Sequence, residues 1–351
     1  MRGYKILETL HRNSTIIICK MRSVTTLVLT LLVCGCISNP QISIDDVGQI
    51  DISNSLVKGE KVLLSTIAKD VKYIELQSDC NCLLGRIEIP VYGVKVHKDR
   101  LFISDESRIL SFDKNGKFLA QIGSQGRGPG EYMYPDDFAI LNESDKIAVF
   151  SQPSKKVFFY SLDGIFEKDI SIDFYPTRMI SFMNKLVFIS PPGRRDLTDY
   201  FTLTIMEESG EIFSRLLKRE NEKELDKNND IALRAYSFQT YVMDSSLYYF
   251  EKYYDTIWRV SSEFTIDSKT HFYYGDDRRS IDDVLKLDPS KKTVPTAEIL
   301  SDAMSFVIPQ WYIDSHRFSF FRIGLQRGHQ IFGYCHQKNH LQKKQSTFKI
   351  H

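Results

Sequence analysis

The sequence predicts an all-β fold, a β-propeller assembled from four-stranded antiparallel blades. The chain of 351 residues is rich in Tyr (18) and Phe (23), which favour strands. Glycines in three polar turns, Gly116, Gly164 and Gly210, are 48 and 46 residues apart. A repeat length in the forties with several short strands per unit is typical of propeller blades, so these turns define the predicted architecture.

The segment 108–135 defines one blade boundary most clearly. Two alternating strands are predicted on either side of a polar turn that ends at Gly116, and a glycine-rich loop, residues 123–132, follows them. This order is expected where a hairpin forms the outer half of a blade and a loop then crosses to the next blade.

The remaining elements follow along the chain. Residues 71–76 alternate cleanly and predict the first strand, and residues 246–267 repeat the strand pattern without a turn glycine. The charged residues 215–235 predict an inserted loop or short helix. Residues 276–305 include a predicted helical turn, after which a strand is expected to resume. The predicted propeller domain spans residues 66–321.

A signal peptide is predicted near the N-terminus. Met21 begins a short basic segment, and an apolar run over residues 27–33 follows it. This run is too short to cross a membrane as a helix. We therefore interpret residues 1–20 as an upstream extension, with Met21 as the true start of translation.

The end of the apolar run resembles a bacterial lipobox. In the tetrapeptide VCGC of residues 33–36, the resemblance implies cleavage after Gly35 and a lipid on Cys36. An ordinary cleaved signal with a chance cysteine is the alternative. Residues 1–36 are thus interpreted as the upstream extension and the signal peptide, and cleavage is expected to leave the lipidated Cys36 as the first residue. Residues 37–65 are expected to form a tether. The expected location is the cell envelope, lipid-anchored to the outer membrane, on its periplasmic or its surface face.

Charge divides the chain into unlike regions. Residues 36–315 carry an excess of ten acidic over basic residues, which argues against nucleic acids and anionic membrane surfaces as partners. No acidic residue follows Asp314, and residues 322–351 form an atypical basic tail. Strand patterning is predicted to stop near Phe321. This favours a reading-frame shift over a solvated tail or an arm that binds metal or nucleic acid.

Together these features resemble the six-bladed β-propeller lipoproteins of Gram-negative bacteria, relatives of the NHL-repeat propellers. The resemblance covers roughly residues 70–320 and rests on the lipobox, residues 71–76, 84–85, 112–118, 122–132 and 255–258. It implies six four-stranded blades, the last of which is completed by N-terminal strands. Because the basic tail stands where the last blade would continue, that blade is expected to be incomplete.

The glycine-rich loop is the candidate ligand site. Its glycines free backbone N–H groups that could cradle an anion, although the loop lacks the Gly-Lys-Ser/Thr sequence of a phosphate-binding P-loop. The alternative, which we favour, is a structural crossing in which glycines permit positive φ and tyrosines anchor the chain. If the loop binds a ligand, Arg127, Glu131 and Tyr132 are the candidate ligand-binding residues.

Catalytic and metal-binding patterns are sparse. His97 and His271 are isolated in the body of the chain. Cys80 and Cys82 lie two apart on a predicted strand, and buried or edge thiols are favoured over a metal site because no second cysteine pair exists. No catalytic residue and no metal ligand is predicted.

Acidic pairs do not change this conclusion. Asp136 and Asp137, like the other pairs, lack the alternating spacing of a calcium loop, so no cofactor is predicted and Ca²⁺ is an unsupported option.

These observations favour a non-enzymatic, lipid-anchored binding module. It would take a glycan, peptide or protein ligand at one end of a central channel, bind no nucleic acid, and act as a monomer. The alternative is an exported NHL-like propeller enzyme, a lyase or hydrolase with a metal at the channel. It requires His, Asp or Glu at matching positions of several blades, and the repeat shows none. A third interpretation is a nonfunctional fragment whose ring does not close.

Overall fold

The structure, a computed structural model, describes residues 47–51, 60–61, 70–85, 93–105, 107–190, 200–219, 238–251, 256–273, 308–314, 318–325, 330–337 and 347–350. Two short strands come first, β1 (Val47–Asp51) and β2 (Glu60–Lys61). The predicted lipidation site Cys36 and the predicted helical turn within residues 276–305 lie outside the described residues.

Three four-stranded antiparallel sheets follow. Sheet 1 contains β3 (Val94–His97), β4 (Arg100–Ser104), β5 (Ile109–Asp113) and β6 (Phe118–Ile122). A short parallel pair comes next, β7 (Ser124–Gln125) and β8 (Glu131–Tyr132). Sheet 2 contains β9 (Asp137–Leu141), β10 (Lys146–Ser151), β11 (Lys156–Ser161) and β12 (Phe166–Ser171). Sheet 3 contains β13 (Arg178–Phe182), β14 (Lys185–Ile189), β15 (Tyr200–Met206) and β16 (Ile212–Arg219).

Two further sheets each gain a fifth strand from the N-terminal segment. Sheet 4 contains β17 (Phe238–Met243), β18 (Ser246–Glu251), β19 (Thr256–Val260) and β20 (Ile266–Tyr273), and β1 pairs in parallel with β20. Sheet 5 contains β21 (Ile308–Asp314), β22 (Phe318–Leu325), β23 (Gln330–Gln337) and β24 (Thr347–Ile350), and β2 pairs in parallel with β24.

The hairpin between the last two strands recurs in sheets 1 to 4. In sheet 1 the Gly116 N–H donates to the Asp113 carbonyl at 3.0 Å, and Gly116 has a φ of 87°. Gly164 and Gly210 occupy the same place in sheets 2 and 3, with φ of 83° and 95°. In sheet 4 that place is taken by Phe264, with a φ of 59°. A left-handed residue is thus built into this turn, and glycine supplies it without strain in three of the four.

The hydrophobic core lies between consecutive sheets. Alternate residues of β10 face opposite neighbours: Ile147 and Val149 pack with side chains of sheet 1, whereas Ala148 and Phe150 pack with side chains of sheet 3. Another buried cluster joins sheets 3 and 4. Because each of these sheets is covered on both faces, its strands read as nearly continuous apolar runs. The chain is therefore all-β, with a propeller-like arrangement of antiparallel sheets, as the sequence predicts.

The first strands of the sheets form the inner side of this arrangement. β9 lies beside β13, and β17 lies beside β21, although these strands belong to different sheets. Each first strand pairs with one strand of its own sheet, so its other edge is available to groups from neighbouring sheets. This inner edge is where the candidate site below is found.

Two N-terminal predictions are wrong. Residues 71–76 form no strand, although Ile74 and Leu76 pack against the core of sheet 1. Cys80 and Cys82 lie in a turn and point differently: Cys80 is exposed, whereas Cys82 is buried and its thiol donates to the Gln77 carbonyl at 3.3 Å. Both patterns contain apolar residues with alternating burial, which sequence periodicity cannot distinguish from a paired strand.

Two later predictions are also corrected. Residues 215–219 belong to β16 rather than to an inserted loop or helix. Strand structure does not stop near Phe321, because β22 runs through it and β23 and β24 follow. The aberrant-end interpretation of the tail 322–351 and the expectation of an incomplete last blade both rested on that loss of pattern, whereas sheet 5 has four strands of its own and a fifth from β2. Six blades are not established: the described residues form five sheets of four or five strands.

Candidate functional site

The glycine-rich loop satisfies its own polar groups. The Gly128 N–H donates to the Glu131 carboxylate at 2.8 Å, and the Gly126 N–H donates to the Tyr132 carbonyl at 3.0 Å. The Glu131 N–H donates to the Gly128 carbonyl at 3.1 Å. These donors are the groups that a bound anion would need, so the structure argues against a phosphate cradle in this loop.

Two buried tyrosines anchor the loop. The Tyr132 hydroxyl donates to the Ile122 carbonyl at 2.9 Å, and the Tyr160 hydroxyl donates to the Gly130 carbonyl at 2.9 Å. Burial raises the pKa of both phenols. Tyr132 is 0% exposed, so its side chain supports the loop from inside the fold, and its role as a ligand contact stays a prediction.

The other two predicted ligand residues differ from each other. Glu131 uses its carboxylate to close the loop on Gly128. Arg127 is exposed at the tip of the loop, between the half-buried Gly126 and the exposed Gly128, and its side chain forms no hydrogen bond or ion pair with the described residues. The loop is thus a structural crossing, as the favoured interpretation states, and its one outward cation stays a candidate.

A second polar cluster lies at the inner edge of sheets 1 to 3. Asp137 begins β9 and is 4% exposed; its Oδ1 accepts from the Phe138 N–H at 2.8 Å, and its Oδ2 accepts from the Met179 N–H at 3.0 Å. This carboxylate therefore joins the inner strands β9 and β13. Burying a carboxylate costs free energy unless hydrogen-bond donors replace the water around it. Two backbone N–H groups do so here.

Two cations flank this carboxylate from either side. Lys95 of β3 lies 3.6 Å from Asp137 Oδ1, and Arg178 of β13 lies 3.9 Å from Asp137 Oδ2. Lys95 also donates to the Phe138 carbonyl, an acceptor on the inner edge of β9, and its ammonium lies 4.6 Å from the centre of the Phe138 ring. We call Lys95, Asp137 and Arg178 the inner-strand cluster; it draws one residue from each of three successive sheets.

Burial tunes the charged groups in and beside this cluster. It lowers the pKa of Lys95, and the attraction of Asp137 works against that effect. Burial also raises the pKa of the neighbouring Asp136, and the charge of Asp137 adds to the rise. The lowered pKa of Lys95 and the raised pKa of Asp136 both disfavour the charged form of the side chain, as expected for ionisable groups taken out of water.

The segment leading into the cluster is fixed against β10. The Asp136 N–H donates to the Phe150 carbonyl at 3.0 Å, and Asp136 Oδ2 accepts from the Gln152 N–H at 2.7 Å. Two residues earlier, the Tyr134 N–H donates to Ser151 Oγ at 3.4 Å, while the Tyr134 side chain is 39% exposed. A partly exposed tyrosine thus precedes Asp137 by three residues in the chain.

Sequence reasoning missed Lys95 and Arg178. It noted Asp137 only as half of an acidic pair, and that pair turns out to face backbone N–H groups and cations instead of an empty cation site. The signal that could have found the cluster is a single charged residue at or near the start of each otherwise apolar inner strand. It appears only after the blades are aligned.

The isolated histidines and cysteines form no shared centre. His97 Nε2 lies 2.8 Å from Asp145 Oδ1 and so connects sheets 1 and 2, whereas His271 Nδ1 lies 3.0 Å from Thr256 Oγ1 in sheet 4. Among the described residues there is no group of three His, Cys, Asp or Glu side chains that could hold a metal ion. The same residues include no helix with the length and apolar character to cross a membrane.

The sheet packing defines a β-propeller-like protein. The chain belongs to the family of the domain of unknown function DUF4934, whose model matches residues 47–350. No curated protein is significantly similar to it. The family match includes the basic tail almost to its end, in agreement with the strands found there.

One solved structure supports the fold. The chain is similar to a candidate exported protein of Bacteroides fragilis NCTC 9343, with 20% identity, coverage of 87% of this chain and 80% of that chain, and a TM-score of 0.65. It is also similar to a member of the DUF4221 family from Bacteroides vulgatus, with 10% identity, coverage of 74% and 83%, and a TM-score of 0.46. At such identities the first likeness supports the propeller-like fold and nothing about activity.

Proposed function

We propose that this protein is an exported, lipid-anchored propeller that binds a ligand at the inner edge of its sheets. The observation that carries the proposal is the inner-strand cluster, where Lys95, Asp137 and Arg178 converge from three sheets. Charged groups placed by a rigid scaffold around a concave centre are a common form of binding site. The ligand is a glycan, a peptide or a protein rather than a nucleic acid, because the body of the chain is acidic.

Binding is tested by thermal unfolding of the full exported chain against panels of glycans and peptides. A ligand that binds the folded state raises the melting temperature, and the rise grows with the logarithm of one plus the ligand concentration divided by its Kd. The proposal expects at least one concentration-dependent shift that Arg178→Met removes and Lys114→Met, on an exposed turn, preserves. The absence of any shift across the panels would contradict it.

Lipid anchoring is the second part of the proposal, and its support is the sequence of residues 33–36. In a Gram-negative host, the wild-type chain is expected in the outer-membrane fraction with a diacylglyceryl mass on its N-terminal peptide. Cys36→Ser should remove both, whereas the matched control Cys34→Ser should remove neither. A wild-type chain without the lipid mass would contradict this part.

Six blades are the third part, and a repeated contact supports them. The turn of sheet 2 approaches β6, since a Cβ on Gly164 would lie 2.3 Å from the Gln121 carbonyl oxygen. The turn of sheet 1 approaches Glu75 in the same manner, at 1.9 Å for Gly116, and the Gln77 N–H donates to the Gly116 carbonyl. The segment 70–77 thus stands where the last strand of a further sheet would stand.

Ring closure can be measured by small-angle X-ray scattering of the exported chain. A closed, monomeric disc of this length should have a radius of gyration of about 20 Å. An open arc of sheets, or a dimer, would give a clearly larger value and would contradict a closed six-bladed monomer.

A second candidate function is an exported lyase or hydrolase, and one observation favours it. Burial lowers the pKa of Lys95 and raises that of Asp136, the pattern by which enzymes tune a base and an acid. If the chain is such an enzyme, its incubation with the glycan panel should give new reducing ends or unsaturated products. The Asp136→Asn variant should not form these products. Saturable binding without product supports the binding module instead.

A further inference from the structure

The hairpin turns of sheets 1 to 4 lie together at one end of these sheets. Because the four strands of each sheet are antiparallel and in chain order, the turn after the first strand and the turn after the third strand share an end. We call this surface the turn face. Its turns are residues 98–99, 114–117, 142–145, 162–165, 183–184, 207–211, 244–245 and 261–265.

Contacts between sheets hold these turns side by side. His97 Nε2 lies 2.8 Å from Asp145 Oδ1 and joins the turn ends of sheets 1 and 2. The Lys146 ammonium lies 2.6 Å from Glu208 Oε1 and joins those of sheets 2 and 3. The ring of Phe264, in a turn of sheet 4, packs against aromatic rings of sheet 3. The turn face is therefore one surface, and part of its charge is neutralised within the protein.

Exposed apolar side chains concentrate on this surface. Ten large apolar side chains are exposed among the described residues, and six of them lie in the turns or within two residues of them. Ile165, next to Gly164, is 68% exposed. The six are Val96, Leu119, Ile165, Met183, Phe213 and Val242. Apolar side chains that are exposed in several turns of one surface indicate an interaction with an apolar or interfacial partner.

The N-terminal segment joins the protein on the same side. β20 of sheet 4 begins after a turn of the turn face and runs toward the opposite end. β1 runs parallel to it, with Val47 opposite Lys269 and Asp51 opposite Tyr273, so the N-terminal end of β1 points toward the turn face. Eleven residue steps separate Cys36 from Val47, which is a span of at most about 40 Å. A lipid on Cys36 therefore brings a membrane close to the turn face.

The inner-strand cluster lies at the other end of the sheets. Asp137 and Arg178 are the first residues of β9 and β13, and the last residues of these strands lead into turns of the turn face. The apolar surface near the anchor and the proposed ligand site are thus at opposite ends.

We propose that the turn face rests on the zwitterionic phospholipid surface to which Cys36 anchors the chain. This inference rests on the lipid anchoring in the proposed function and adds an orientation, in which the inner-strand cluster is directed away from the membrane. Interfacial side chains enter the boundary between headgroups and acyl chains by about 5–10 Å, a depth within reach of exposed turn residues. A zwitterionic surface fits better than an anionic one, because residues 36–315 carry an excess of ten acidic residues.

Quenching of tryptophan fluorescence by brominated phosphatidylcholine tests this contact in the full exported chain, reconstituted in vesicles. Ile165→Trp places an indole on the turn face, whereas the matched control Tyr134→Trp places one three residues before β9, at the opposite end. The wild type, with Trp258 and Trp311, supplies the background. We expect the brominated lipid to quench most of the fluorescence that Ile165→Trp adds and little of that added by Tyr134→Trp. If Ile165→Trp does not fold, Phe213→Trp replaces one exposed aromatic ring of the turn face by another.

The mass of the N-terminal peptide from the same preparation separates this inference from the proposed function. With the lipid mass present, equal quenching of the two probes, quenching of Tyr134→Trp alone, or no quenching of either overturns the orientation and leaves the anchoring in place. A chain without the lipid mass overturns the anchoring and, with it, this inference. Ligand binding in the thermal unfolding panels is decided independently of both results.

Discussion

Asp137 of the inner-strand cluster follows the glycine-rich loop by only a few residues, yet the cluster and the loop use their polar groups in different ways. In the loop, the N–H groups of Gly126, Gly128 and Glu131 have acceptors within the loop, and two buried tyrosine hydroxyls hold the backbone. In the cluster, charged side chains from three sheets meet at one carboxylate, which also accepts two backbone N–H groups. The conspicuous sequence motif thus meets a structural need, whereas the proposed ligand site consists of charges that are scattered in the sequence.

The largest effect on stability is expected from a substitution at Gly130, in the glycine-rich loop. Its φ of 73° disfavours any side chain, and a Cβ there would lie 2.5 Å from the ring of Phe166. Gly130→Ala is expected to lower the free energy of unfolding by about 3 kcal/mol, measured by guanidinium denaturation. Gly128→Ala is the matched control, because its Cβ would meet only the flexible Glu131 carboxylate. Equal effects of the two substitutions would contradict the structural role of the loop.

Asp137→Asn tests the cluster in both of its roles. The amide keeps the size of the carboxylate but can accept through one oxygen only, so either the Phe138 or the Met179 N–H loses its partner. We expect a loss of about 2 kcal/mol in unfolding free energy, together with altered ligand affinity because the negative charge between Lys95 and Arg178 is removed. An unchanged stability with the same affinity would mean that Asp137 does not organise the site.

Tyr132→Phe separates a structural tyrosine from a ligand-binding one. Without the hydroxyl, the Ile122 carbonyl loses its donor in a buried setting, and we expect about 1–2 kcal/mol of destabilisation in thermal or chemical unfolding. Ligand affinity should be unchanged, since the side chain is inaccessible. Tyr134→Phe serves as the exposed control and should leave stability within about 0.5 kcal/mol of wild type. A loss of affinity in Tyr132→Phe would indicate that the loop takes part in ligand binding.

The repeat made the fold class predictable because its signals are local. Turn glycines with positive φ, alternating strands and polar hairpins are set by neighbouring residues, and Gly116, Gly164 and Gly210 indeed occupy equivalent turns. Sheet 4 shows the limit of this reasoning. Phe264 adopts the same left-handed turn without glycine because its ring is 5% exposed and packs edge-on with Phe182 and Phe213 of sheet 3. Tertiary packing there outweighs a local preference of about 1–2 kcal/mol.

The candidate site was less predictable because it depends on contacts between sheets. Lys95 and Arg178 are 83 residues apart in sequence and meet only because β3, β9 and β13 are the inner strands of successive sheets. A single charge in an apolar strand carries no motif. The loop, by contrast, gathers four glycines and one tyrosine in ten residues, so its composition was visible in the sequence, whereas the burial of Tyr132 was not.

The smallest effect is expected at Asp136, where pH makes the sign testable. Burial raises its folded-state pKa above the ordinary value of 3.8, so ionisation at neutral pH lowers stability relative to the protonated form. Asp136→Asn keeps an oxygen for the Gln152 N–H and removes the buried charge, and it should therefore slightly raise the melting temperature at pH 7. The gain should shrink as the pH falls through the folded pKa and vanish below the unfolded one. A gain that persists unchanged at pH 3 would mean that it does not come from removing the charge. A loss at pH 7 would mean that the Asp136 carboxylate stabilises the fold as an anion, and the acid role considered for the enzyme alternative would then lose its basis.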